Sequence, residues 1–159
     1  MKYKPDSNFV WTDLSCYEPK QGKKFYSKVF GWEYYGDSND EKAKPDKFGM
    51  EEVSYSFASV QEQPVSGIYD MPPFFRKIKM PSFWMSYLSV IDIQAVVERA
   101  KNIEGTIIEI EPTTFGEGQI ALIRDPAGAG FTVYEGPSID SKGSGDIHGQ
   151  MVWNELIVN

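Results

Sequence analysis

The chain has 159 residues, a formal charge of −7, a hydrophobic fraction of 41% and one cysteine. This length suffices for one domain that buries about two thirds of its unfolded surface and needs no covalent staples. The acidic charge argues against a nucleic-acid partner, and no apolar run reaches the ~18 residues that a membrane span requires. The lone Cys16 excludes an intramolecular disulfide and favours the cytoplasm.

The first half of the chain predicts the element order β-α-β-β-β. A strand covers residues 9–16, and Pro19 suits the first position of a helix whose apolar residues recur until Gly31 ends it. A polar loop at 37–47 separates the second strand from the third. The second, third and fourth strands are predicted at 32–36, 53–60 and 65–69.

The second half repeats this order after a Pro-rich crossing at 71–81, which we interpret as a linker. A strand at 83–90 precedes a helix with Asp92 as its N-cap and Gly105 as its C-terminal cap. Its inner side is predicted to carry Ala95, Val96, Val97, Ala100 and Ile103. Three further strands are predicted at 106–110, 119–124 and 131–134.

This internal repeat predicts an α+β fold of two β-α-β-β-β half-modules, about residues 8–70 and 82–135. Each half leaves one sheet face uncovered, so the halves form a curved mixed sheet around a concave cavity, with the helices on the outer face. The module occupies 1–135, followed by a Gly/Ser-rich linker at 136–150. An extra terminal strand at 151–159 repeats the pattern of residues 9–15.

Strand alternation predicts which side chains line the concave face. Alternation places Val10, Thr12, Leu14 and Cys16 on the helix-facing side of the first strand, while the neighbours between them face the cavity. Aromatic and polar groups together on one face indicate a partly wet pocket. The predicted ligand-binding residues are Trp11, Asp13, Phe74, Met85, Tyr87, Thr132 and Tyr134.

Five segments carry a resemblance to a known family: WTDL at 11–14, FYSKVFGW at 25–32, WMSYLSVID at 84–92, EP at 111–112 and DPAGAGF at 125–131. Together they resemble the vicinal oxygen chelate superfamily, the group of glyoxalase, bleomycin-resistance proteins and extradiol dioxygenases. The resemblance runs over about residues 8–135 in the right order. It also implies a source for the terminal strand, because several relatives carry a second module that begins with such a strand after a Gly-rich linker.

Enzymes of this superfamily hold a divalent metal with His and Glu or Asp side chains from the first and last strand of each half. At those positions this chain offers Trp11, Asp70 at the end of a strand, Met85 or Tyr87, and Thr132. Metals of this kind need at least three His, Cys or carboxylate ligands. We therefore predict no metal and no other cofactor.

Two functions remain open at this point. The first is a metal-free module of the bleomycin-resistance type that binds a small, partly aromatic molecule. The alternative is a metal-dependent lyase, isomerase or dioxygenase with displaced ligands, namely Asp13, Asp70 and Glu155 of another chain. An exposed apolar strand at 152–158 would promote aggregation, so we also expect a homodimer in which that strand is paired.

Overall fold

A computed structural model describes residues 8–36, 55–137 and 148–156. The predicted loop at 37–47 and the first two residues of the predicted third strand lie outside these ranges. The first half contains β1 (Phe9–Cys16), α1 (Pro19–Phe30), β2 (Glu33–Tyr35), β3 (Tyr55–Val60) and β4 (Gln63–Asp70). The second half contains α2 (Pro73–Lys77), β5 (Phe83–Ser89), α3 (Ile93–Lys101), β6 (Ile107–Phe115), β7 (Gly118–Arg124) and β8 (Gly130–Glu135).

The strands form one mixed sheet in the order β2-β3-β4-β1-β5-β8-β7-β6. Each half has the same internal pairing, because β1 runs parallel to β4 and β5 runs parallel to β8. The halves join at the centre, where β1 and β5 pair antiparallel. The sheet is curved and does not close, so the predicted α+β fold of two half-modules is confirmed.

Capping residues that are visible in the sequence set the end of α1 and the start of α3. At the end of α1, Gly31 adopts φ +71°, a left-handed conformation that glycine tolerates, and its N–H donates to Ser27 O at 3.0 Å. At the start of α3, the Asp92 carboxylate accepts from the Ala95 N–H at 2.8 Å. Both predicted boundaries are confirmed.

Four predicted details of the second half are wrong. The crossing contains the short helix α2, because Pro73 stands at a first helical position, where the missing N–H costs nothing. Helix α3 ends at Lys101 with Asn102 as its cap, before Gly105. Ile103 therefore lies beyond the helix and is 56% exposed, not on its inner side. Strand β6 runs on through Pro112 to Phe115.

Two cores lie on opposite faces of the sheet, as strand alternation predicts. The placement of Val10 on the helix-facing side is wrong, because the register shifts between Phe9 and Trp11 and Val10 packs against the concave cluster. On the outer face, Leu14, Cys16 and Ile68 pack beneath α1, and a second cluster packs beneath α3. On the concave face, the strands and α2 bury Trp11, Met71, Phe75, Met85, Tyr87, Ile120, Leu122 and Tyr134. The concave face therefore holds the larger set of buried aromatic and sulfur-containing side chains.

The terminal segment does not form the predicted strand over residues 151–156, where the backbone is irregular. A strand needs a neighbouring edge with free N–H and C=O groups. This segment instead lies over the outer face of the sheet, where the Ser86 hydroxyl donates to Asn154 Oδ1. Residues 157–159 of the predicted strand lie outside the described part of the chain.

Candidate functional site

The register of the central strands brings most of the predicted site residues together. Across the β1–β5 pairing, Trp11 lies opposite Tyr87 and Asp13 lies opposite Met85. Across the β5–β8 pairing, Tyr87 lies opposite Thr132. Directly paired residues in a sheet have Cβ atoms within about 5.5 Å of each other. These five side chains therefore form one contiguous patch on the concave face.

A hydrogen-bonded network connects this patch around the buried carboxylate of Asp13. The Tyr87 hydroxyl donates to Asp13 Oδ2 at 2.8 Å, and the Tyr55 hydroxyl donates to the same oxygen at 3.1 Å. The Trp11 indole N–H donates in turn to the Tyr55 hydroxyl at 2.9 Å. Asp13, Tyr55 and Tyr87 have exposed fractions of 1% or less. The Oδ2 atom of this buried carboxylate thus receives hydrogen bonds from two phenols.

Three buried tyrosines near Asp13 are held in their neutral form, namely Tyr55 and Tyr87 of this network and Tyr69 beside it. Burial raises the pKa of Tyr55, Tyr69 and Tyr87 well above the ordinary value, and the nearby charge of Asp13 raises it further. An ionised phenol beside a buried carboxylate would place two negative charges in a medium of low polarity. All three hydroxyls therefore stay protonated, and those of Tyr55 and Tyr87 donate to Asp13.

Sequence reasoning missed Tyr55, although the chain contains a signal for it. Gly67 lies in the middle of β4, opposite Asp13 on β1. A Cβ at Gly67 would lie 1.9 Å from the Tyr55 hydroxyl oxygen, so only glycine leaves room for the phenol to reach Asp13. A glycine inside a strand pattern often marks such a close approach.

The predicted pocket residues differ sharply in accessibility. Trp11, Asp13, Tyr87, Thr132 and Tyr134 are at most 6% exposed, so the surface predicted to be partly wet is packed. Aromatic rings from other strands and from α2 fill the space, including Phe57, Phe75 and Phe115. Phe74 is 53% exposed on α2, and its neighbour Phe75 occupies the interior position instead.

A cavity remains open at one end of the concave face, beside this packed network. It has a volume of about 220 Å³. Of the predicted residues, Met85 lines it. The other apolar walls are formed by Phe75 on α2, Met80 just after it, Phe83 and Trp84 on β5 and Leu122 on β7.

One ion pair lies on the wall of this cavity. Glu109 Oε1 accepts from Arg124 Nε and Nη2, each at 2.7 Å. The pair is partly buried, with side-chain exposures of 19% for Glu109 and 30% for Arg124. An apolar cavity with one polar group at its edge is typical of sites that orient a small ligand. Sequence reasoning interpreted neither residue as part of a site, because their contact depends on the β6–β7 register.

The residues at the metal-ligand positions of the superfamily do not fit a resident divalent metal. Trp11 donates to Tyr55, and Asp70 pairs with Arg76 at 3.1 Å. Met85 and Thr132 provide a thioether and a hydroxyl, which are poor ligands for iron, nickel, zinc or manganese. Within residues 8–36, 55–137 and 148–156, no three His, Cys, Asp or Glu side chains are grouped as a metal site would require.

Comparison with known families places the fold in a defined class. A family model described as the Glyoxalase/Bleomycin resistance protein/Dioxygenase superfamily matches residues 8–133. This match covers more than half of the chain. The chain therefore belongs to that superfamily, and the resemblance inferred from its motifs is confirmed.

Two relatives extend beyond the length of this chain. The Mycobacterium bovis protein named "Putative glyoxylase CFP32" is 29% identical over 149 residues, which is 94% of this chain and 53% of that protein. The Streptomyces peucetius protein named "Anthracycline biosynthesis protein DnrV" is 25% identical over 152 residues, 94% of this chain and 54% of that one. The chain thus spans about half the length of these curated relatives.

Solved structures share the fold at low sequence identity. Methylmalonyl-CoA epimerase from Mycobacterium tuberculosis is similar with a TM-score of 0.56 and 14% identity, covering 86% of this chain and 94% of that chain. A glyoxalase/bleomycin resistance protein/dioxygenase superfamily member from Vibrio splendidus is similar with a TM-score of 0.51 and 14% identity. The match covers 81% of this chain and 98% of that chain. In the described ranges, no helix has the length and apolar character needed to cross a bilayer.

Proposed function

We propose that this glyoxalase/bleomycin-resistance-like protein binds a small molecule in the concave cavity between α2, β5 and β7, without a metal of its own. The observation that carries the proposal is the cavity itself, with apolar walls from Phe75, Met80 and Leu122 and the Arg124–Glu109 pair beside them. Its volume of about 220 Å³ is below the 300–1,000 Å³ of drug-sized sites. The ligand is therefore a compact molecule with about one ring.

The polar end of the cavity supports a ligand with a carboxylate or carbonyl oxygen. Arg124 uses Nε and Nη2 for Glu109, which leaves further N–H groups of the guanidinium for an acceptor. Planar pairing of a guanidinium with a carboxylate is geometrically specific. An apolar ring against Phe83 and Met85, with its oxygen toward Arg124, satisfies both parts of the cavity.

A fragment screen by thermal shift tests this proposal, with benzoate and benzamide as the first probes. We expect binding that weakens in Met80→Trp, which fills the cavity mouth, and in Arg124→Met, which removes the guanidinium. The matched control is Lys101→Met, an equal loss of charge on an exposed side chain outside the cavity. Equal binding by wild type and both cavity variants would show that the site is elsewhere.

Metal analysis of protein purified without a His-tag tests the metal-free part. We expect no stoichiometric iron, nickel, zinc or manganese. A stoichiometric metal would contradict the proposal and favour the alternative, a metal-dependent lyase, isomerase or dioxygenase.

We further propose that the protein acts as a homodimer in the cytoplasm. Large apolar side chains are exposed on α1 and on the terminal segment, among them Phe25 at 57%, Trp153 at 75% and Val152 at 77%. Contiguous exposed apolar surface is typical of protein interfaces. The free, buried thiol of Cys16 supports a reducing compartment.

Deletion of residues 151–159 tests the dimer. Light scattering of the shortened chain should report monomer or aggregate, because the apolar contact of the terminal segment is lost. A soluble dimer as stable as the full chain would show that this segment has no part in assembly.

A further inference from the structure

A second cavity lies on the outer face of the sheet, opposite the concave site. Helix α1 packs mainly on β4, and α3 packs on β6, β7 and β8. Over the central strands, a row of hydroxyls crosses the sheet on its outer face: Ser66 on β4, Thr12 on β1 and Ser86 on β5. A helix-covered sheet face normally carries apolar side chains at such positions. This polar row therefore marks a surface that differs from an ordinary helix-packing face.

The terminal segment covers this surface without filling it. The Trp32 indole N–H donates to Gly149 O at 3.1 Å, and the Ser86 hydroxyl donates to Asn154 Oδ1. Between the segment and the sheet, a cavity of about 340 Å³ remains, within the range of small-molecule sites. The segment thus forms one wall of a site whose floor is the sheet.

Aromatic rings form most of the remaining walls. Phe30 and Trp32 approach to 5.6 Å between ring centroids, and Trp84 meets Trp32 edge-on at 6.3 Å. Trp153 of the terminal segment completes this set. No charged side chain lines the cavity within the described residues. These walls favour a flat, neutral, apolar molecule over an ion.

The polar groups of the floor favour a ligand that donates a hydrogen bond. The Thr12 hydroxyl donates to Met85 O at 3.1 Å, and the Ser66 hydroxyl donates to Thr12 O at 2.9 Å. Ser86 donates to Asn154. A hydroxyl that has used its single proton keeps its lone pairs and can only accept. The floor thus presents acceptors rather than donors.

We propose that this outer cavity is a second binding site, for a neutral planar aromatic molecule with a hydroxyl or amine donor. The ring lies among Trp32, Trp84 and Trp153, and its donor faces the hydroxyl row at Ser86. Trp84 lines both this cavity and the concave cavity, but the other lining residues differ, so variants at those positions distinguish this proposal from the function proposed above.

Titration calorimetry with two matched probes tests the proposed outer binding site. The probe 2-naphthol has one O–H donor, and 2-methoxynaphthalene has the same rings without a donor. We expect wild type to bind 2-naphthol about 3- to 10-fold more tightly, the effect of one hydrogen bond. Binding of neither probe at millimolar concentration would overturn the proposal, as would equal affinity for both.

Two variants and one control locate the binding. Phe30→Ala removes a wall of the outer cavity that is 36% exposed and does not line the concave cavity, so it should weaken both probes about 5- to 10-fold. Ser86→Ala should weaken 2-naphthol alone, and it keeps the test valid if Phe30→Ala does not fold. Met80→Trp, in the concave cavity, should change neither affinity. Binding that survives the first two variants, or that Met80→Trp abolishes, would refute the outer site.

Discussion

Replacing Tyr87 by Phe tests whether phenols hold the buried charge of Asp13. The change removes one oxygen and keeps the ring, so it creates no large cavity. The lost bond is the shorter of the two that Asp13 Oδ2 accepts, at 2.8 Å against 3.1 Å from Tyr55. Hydrogen bonds to charged groups contribute about 1.5–3 kcal/mol each. We expect the free energy of unfolding to fall by about 2 kcal/mol at pH 7, or ~4–8 °C in Tm.

The same variant has a predicted pH signature. The pKa of Tyr87 is raised in the folded protein by burial and by the Asp13 charge, whereas an unfolded tyrosine titrates near ~10. A raised folded pKa stabilises the protein below pH ~10, and this contribution is lost as the pH rises above it. Wild type should lose about 1.4 kcal/mol per pH unit more than Tyr87→Phe in that range. The difference in the free energy of unfolding between wild type and Tyr87→Phe should therefore narrow as the pH rises above ~10.

Tyr134→Phe is the matched control, because it makes the same chemical change in the same core cluster. The Tyr134 hydroxyl donates at 2.9 Å to the neutral carbonyl of Pro137, so its loss should cost only about 1 kcal/mol. Urea denaturation measures the free energy of unfolding of both variants, and the comparison holds where their m-values are equal. If the two variants lose the same stability at pH 7, or if Tyr87→Phe is neutral, the proposed support of Asp13 is refuted.

Two further predictions concern buried positions. Gly67→Ala should lower the free energy of unfolding, measured in urea, by at least ~1–3 kcal/mol, because the added Cβ would overlap the Tyr55 hydroxyl. The control Gly130→Ala should be nearly neutral, since no atom lies within 4 Å of a Cβ added there. Equal effects of the two substitutions would refute the close approach at Gly67. Burial raises the pKa of the Cys16 thiol, so less of it is present as the reactive thiolate. Alkylation by iodoacetamide at pH 8, followed by mass spectrometry, should therefore be far slower in folded than in urea-unfolded protein. Equal alkylation rates would contradict this prediction.

Much of the fold was predictable because local signals and the internal repeat agree. Gly31 and Asp92 fix helix boundaries through backbone conformation and capping, which depend on neighbouring residues alone. The end of α3 was not predictable in this way, since Asn102 ends the helix before the more obvious Gly105. Short helix α2 was missed because Pro73 is compatible with both a linker and a helix start.

The candidate site was predictable as a face but not as a cavity. A period of two along β1 and β5 correctly placed Trp11, Asp13 and Tyr87 on the concave side. Whether that side is open depends on side chains that reach it from distant parts of the chain, such as Phe115 and α2. Their positions follow from register and strand order, which composition and periodicity do not specify.

The metal-free proposal rests on the energetics of Asp13 more than on the shortage of histidines. A buried carboxylate needs either a cation or several donors, because its transfer from water into a protein interior is costly. Here Tyr55 and Tyr87 supply those donors, and packing around them excludes solvent. A metal bound to Asp13 would have to open the packed aromatic core around the carboxylate, and the free-energy cost of opening that core would offset its ligation energy. The open cavity beside Met85 carries no such cost, and for this reason we assign ligand binding there.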